Sequence, residues 1–166
     1  MDTVSHMFWN GLFFKDSKEK RNIVIGGLLP DIALIISAVV LTPTRLFSPF
    51  RPWAQQLMQI PELYLVDTLF HSLPFWTASL VLYRLFRLKG YGIWIGASIH
   101  IFIDVLTHKF DIVPYLWPIS SVKPEGIIDY RTGNFTLLNW LVITVIVVFL
   151  LRKRIRKILK NREGST

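Results

Sequence analysis

The chain has 166 residues, 52% of them hydrophobic and 14% aromatic, with a net charge of +8. It is too apolar for an ordinary soluble domain of this size and reads as one membrane-embedded domain. It contains no cysteine, which excludes disulfides, cysteine nucleophiles and thiolate metal sites, so any metal must be held by histidine and carboxylate.

In chain order, the opening MDTVSHMFWN carries an acid and no early Lys or Arg, unlike the basic start of a secretory signal, so the N-terminus is expected to be retained. Ser5 to Phe14 is too short to cross a bilayer and reads as a short half-membrane or interfacial helix. Four apolar segments follow, at Asn22 to Leu41, Ser72 to Phe86, Tyr91 to Thr107 and Phe135 to Leu151. The first and last come nearest to membrane-crossing length. The connections Thr42 to His71 and His108 to Asn134 hold Pro43, Pro49, Pro52, Pro61, Pro114, Pro118 and Pro124, and read as loops with short helical pieces at most.

The cations set an orientation. Lys15, Lys18, Lys20 and Arg21 precede the first segment, Arg84, Arg87 and Lys89 lie between the second and third, and Arg152, Lys153, Arg154, Arg156, Lys157, Lys160 and Arg162 follow the fourth. The opposite loops hold Arg45, Arg51, Lys109, Lys123 and Arg131, so the positive-inside rule puts both termini in the cytoplasm. The expected fold is all-α: an integral membrane helical bundle of about four transmembrane helices plus a short N-terminal helix. Residues 1–151 form its single domain and residues 152–166 a basic cytoplasmic tail. That tail reads as an anchor beside anionic lipid, and no nucleic-acid partner is expected.

An ionisable residue inside an apolar segment is costly unless paired. His100 and Asp104 lie four apart on one helical face, continued by His108 and preceded by Gly92 and Gly96, a spacing that lets another helix approach closely. Gly27 likewise precedes Asp31 by four. Counted at about 1.5 Å per helical residue from the neighbouring cations, His6, Asp31, His71, His100 and Asp104 fall about 14 to 23 Å from the cytoplasmic edge. For His71 this requires a helix running back through Pro74. Their side chains suit Zn²⁺, Mn²⁺ or Fe²⁺. The same residues would equally serve as a hydrogen-bonded network fixing helix packing, or as an ion or proton path. Asp67 reads as a solvated acid on a loop flank.

The motifs SHMFWNGLF, GGLLPDI (Gly26 to Ile32), FHSL (Phe70 to Leu73) and HIFIDVLTHKFDI (His100 to Ile112), followed by WPIS (Trp117 to Ser120), resemble in order and spacing the YdjM-like family of membrane-bound, predicted metal-dependent hydrolases of the inner membrane. The resemblance covers Ser5 to Ser120. It implies His6, Asp31, His71, His100 and Asp104 as metal ligands, with Ser72 and Thr107 beside them. His108 and Asp111 resemble a THxxD variant, either orienting His100 or Asp104 or forming a polar helix end. Two departures stand out: Ala33 where relatives often carry a second acid, and VDTLFHS where an His-Arg-Gly element often precedes the His-Ser pair. The resemblance implies metal-dependent hydrolysis and no substrate; the depth of the donors points to a phosphoester or other ester of a lipid-borne molecule, attacked by metal-activated water with Asp31 or Asp104 relaying the proton. Zinc is the first choice of ion, and a membrane lipid or lipid-borne molecule the expected partner.

Overall fold

Asp2 starts the first helix. Its carboxylate accepts from the main-chain N–H and the hydroxyl of Ser5 at 3.0 and 2.7 Å, satisfying a donor that a helix N-terminus leaves open. The computed structural model describes residues 1–41, 59–88, 90–109, 113–130 and 132–163, and all regular structure among them is helical. Arg45, Arg51, Lys89, Asp111 and Arg131 lie outside these residues. The chain divides into two compact units, Met1–Asp129 and Tyr130–Thr166.

The first unit runs α1 (Thr3–Phe13), α2 (Lys20–Gly26), a 3₁₀ turn (Leu29–Asp31), α3 (Ile32–Leu41), α4 (Pro61–Phe70), α5 (Leu73–Leu85) and α6 (Gly92–Thr107). The apolar run from Asn22 to Leu41, expected as a span, is therefore not one helix. Pro30 lies in the first turn of the 3₁₀ element and has no N–H to offer the preceding turn. Leu28 N–H bonds Ile25 O at 2.9 Å and Asp31 N–H bonds Leu28 O at 3.2 Å, so the ladder tightens from the α pattern to the 3₁₀ pattern. Asp31 does not take the Gly27 carbonyl, as it would in an α-helix, and that acceptor is left for another element.

Two further expectations change around residue 71. Asp67 lies on helix α4, which starts with Pro61 at its N-terminus, and it is buried, not solvated on a loop. Helix α5 does not run back through Pro74. Ser72 caps it by accepting from Phe75 N–H at 3.2 Å, with Pro74 in the first turn. His71 thus occupies the break between α4 and α5, whose axes bend by 58°.

Close packing holds α2 against α6. A Cβ on Gly96 would lie 2.0 Å from Ile23 O, and one on Gly26 would lie 2.1 Å from Ile93 O, so only glycine allows this approach. Asn10 of α1 ties both helices, donating to Ile23 O at 3.3 Å and Gly96 O at 3.2 Å. The other side of α6 supplies Ala97 and Ile101 to an apolar cluster with Trp76 and Tyr115. One face of α6 is therefore polar and inward while its neighbour is core.

The second unit is dominated by α7 (Gly133–Glu163), 31 residues that continue without a break into the basic segment. Of the four expected spans, α7 is the one single helix among the described residues that is long and apolar enough to cross a membrane, and α4 with α5 makes a second if the bent pair is one span. Helix α6, at 16 residues, falls short of the roughly 20 that cross alone.

Candidate metal centre

The five residues expected to share a site do meet. His6 comes from the buried face of α1, one turn before Asn10. Asp31 ends the 3₁₀ turn, His71 follows α4, and His100 and Asp104 lie one turn apart on α6. Asp104 is the hub: His6 Nε2 is 2.9 Å from its Oδ1, and His100 Nε2 is 3.0 Å from its Oδ2. His71 Nε2 lies 3.7 Å from Asp104 Oδ2 and 3.6 Å from Asp31 Oδ1, and His100 Nε2 lies 3.8 Å from the same Asp31 oxygen. The His6 and His100 rings stack at 3.7 Å. His6 and His100 are fully buried, and Asp31 is the most open of the five, with 15% of its side chain exposed.

The backbone decides which ring nitrogens face inward. His100 Nδ1 lies 2.7 Å from Gly27 O, the carbonyl released by the helix break. A carbonyl only accepts, so Nδ1 carries a proton, and in the neutral ring Nε2 presents the lone pair. In the same way His71 Nδ1 donates to Asp67 O at 2.9 Å, so its Nε2 is the nitrogen that faces Asp31 and Asp104. His100 Nε2 has no hydrogen-bond partner although it lies 3.0 Å from Asp104 Oδ2. His6 Nε2, by contrast, shares a hydrogen bond with Asp104 Oδ1 at 2.9 Å.

A divalent cation would fit this arrangement. Donors each about 2.0–2.2 Å from one ion sit about 3 to 3.5 Å apart at tetrahedral or octahedral angles, close to the spacings found here. Two groups bring their donor atoms within 4.8 Å of one another, His6 with His100 and Asp104, and Asp31 with His71 and His100. The site also gathers three buried or part-buried carboxylates, Asp31, Asp67 and Asp104, whose ion-pair partners are imidazoles and the amino group of Met1, 2.8 Å from Asp104 Oδ1. Two rings stacked as closely as His6 and His100 would repel if both were charged. These buried groups can hold a metal ion.

The surrounding residues fall into distinct places. Thr107 Oγ1 donates to Ile103 O at 3.0 Å and lies 3.3 Å from the Met1 amino group. His108 Nδ1 sits 3.2 Å from Asp104 Oδ1 and 3.1 Å from Asp104 O. Ser72 points elsewhere, capping α5 and donating to Trp117 O, so its contacts are with the fold. Asp111 lies outside the described residues. Sequence reasoning missed Thr3, whose hydroxyl donates to Asp31 Oδ2, and misplaced Asp67, whose Oδ1 is 3.4 Å from His71 Nδ1. The four-residue spacing of Asp67 and His71 was a usable signal, as was that of His6 and Asn10. Nothing in the sequence pairs Thr3 with Asp31.

In comparison with known proteins, no family model, no curated protein and no solved structure matches the chain.

Proposed function

We propose that the protein is a membrane-bound metal-dependent hydrolase acting on a phosphoester or other ester of a lipid-borne substrate. The observation that carries this reading is the convergence of His100 Nε2 and His71 Nε2 on the oxygens of Asp31 and Asp104, with both Nδ1 atoms tied to main-chain carbonyls. His6, Asp31, His71, His100 and Asp104 would hold the ion, with zinc favoured by the imidazole and carboxylate donors and Mn²⁺ or Fe²⁺ also compatible. Both ligand groups contain His100. Its Nε2 has a single lone pair and its Nδ1 is engaged, so the reading is one ion per chain. When bound, the ion supplies Lewis acidity and lets water ionise near neutral pH.

The residues then divide the work. Asp104 is engaged on both oxygens by His6 and His100, which suits a fixed ligand. Asp31 is the more exposed carboxylate, which suits it to take the proton of the attacking water. The motif resemblance to the YdjM-like hydrolases supports the same chemistry, and the apolar setting favours a substrate delivered by the bilayer. For topology, we infer four membrane passages formed by α2 with α3, α4 with α5, α6, and α7. Irregular backbone at Gly27 to Asp31 and at His71 is tolerated at membrane depth where it is buried in protein. The cation clusters support an inner-membrane location with both termini cytoplasmic.

Elemental mass spectrometry on detergent-purified protein tests the metal, beside a His100→Ala, Asp104→Ala variant shown to be folded. Near-stoichiometric Zn, Mn or Fe that disappears in the variant is expected. No metal in either protein after reconstitution with excess ions would leave the cluster as a packing network and end the hydrolase reading.

A further inference from the structure

Asp67 belongs to neither ligand group, yet it is a carboxylate only 7% exposed on a helix one turn before His71. A buried charge is costly unless paired, and its ion pair is with His71 Nδ1, at 3.4 Å. The same nitrogen already donates to Asp67 O at 2.9 Å. The main-chain carbonyl therefore aims the ring by itself, and the carboxylate is not needed for orientation. What the carboxylate adds is negative charge behind the ring, on the side opposite Nε2. That Nε2 is the atom facing Asp31 Oδ1 and Asp104 Oδ2.

We propose that Asp67 is a positioning residue that acts through His71, making its Nε2 a stronger donor and so setting the affinity of the site for a divalent cation. The proposal rests on the metal reading above. A carboxylate behind a ligating imidazole raises its basicity, and loss of such a partner typically weakens metal binding by about 10- to 100-fold. The division of labour makes a specific prediction. Asp67→Asn keeps the shape of the side chain and the main-chain acceptor, so ring orientation survives and only the charge is lost.

The test is a Zn²⁺ titration of the metal-stripped full-length protein in detergent, with a competing chelator, on the unsubstituted protein and on Asp67→Asn and Asp67→Glu. The expected result is one ion per chain in all three, about 10- to 100-fold weaker in Asp67→Asn and closer to the unsubstituted affinity in Asp67→Glu, which restores the charge. A purely structural role would not be rescued this way. Equal affinity of the unsubstituted protein and Asp67→Asn overturns the proposal. Absence of binding by the unsubstituted protein overturns the metal reading itself, which is a separate result. Because Asp67→Asn can be lost to misfolding, ¹⁵N-histidine NMR of the unsubstituted zinc-loaded protein is the second measurement. It should show His71 protonated at Nδ1 and metallated at Nε2, and metallation at Nδ1 would overturn the proposal.

Discussion

At the scale of the residue, Asp31 and Asn10 show two kinds of buried polarity. Asp31 keeps one oxygen on Thr3 and turns the other toward His71 and His100. On the proposed hydrolase reading, Asp31→Asn retains shape while removing the charge that would accept the proton, so hydrolysis of a lipid phosphoester in mixed micelles is expected to fall by about 10²- to 10⁴-fold. A rate within a fewfold of the unsubstituted protein would take that role away from Asp31. Asn10 does not titrate, and its amide nitrogen donates to Ile23 O and Gly96 O. Asn10→Ala removes two buried hydrogen bonds that tie α1 to α2 and α6 and should cost about 1–3 kcal/mol, seen as a lowered Tm in detergent with metal content retained in the folded fraction. The candidate ligands were legible in the sequence because a histidine or aspartate in an apolar run is conspicuous through its cost. Asp67 was not, because its proline-flanked segment resembled a loop until the helix α4 buried it.

At the scale of the element, the site is made by interruptions. The 3₁₀ turn at Leu29–Asp31 frees the Gly27 carbonyl for His100, and the break after α4 leaves His71 between two helices. The glycine spacing on α6 was readable in advance as a face for close helix approach, and Gly96 meets Ile23 of α2 there. Gly96→Ala places a methyl where the Ile23 carbonyl stands, so α2 and α6 must separate, at a cost of about 1–3 kcal/mol or more. Chemical denaturation should show that loss, and Zn²⁺ binding should weaken with it because His100 would lose its Gly27 partner. Unchanged stability would mean that the two helices can shift apart freely. Ser72→Ala tests the other break: losing the cap of α5 should cost about 0.5–2 kcal/mol without abolishing metal binding in the folded protein. A loss of metal out of proportion to stability would give Ser72 a part in the site that its contacts do not suggest.

At the scale of the whole molecule, topology is open to a direct measurement, since the chain contains no cysteine. On the proposed topology, single cysteines placed at Lys18 and at Lys160 should both be labelled by an impermeant maleimide only after the membrane is opened. Labelling of either in sealed cells would refute the proposed both-termini-inside arrangement. Composition and charge by themselves determined the helical class, the exclusion of thiol chemistry, the final apolar helix with its basic continuation, and the candidate donor residues. These follow from local properties: hydropathy over a window, the period of a helix, and the cost of an isolated charge. Only the tertiary structure decided that the first apolar run is broken, that Asp67 is buried behind His71, and that Gly27 O and Asp67 O set which nitrogen of each ring faces the carboxylates. Those outcomes depend on which carbonyl a helix leaves unpaired and which side chain reaches it from residues distant in sequence, such as His100 reaching Gly27, and no local pattern encodes such a meeting.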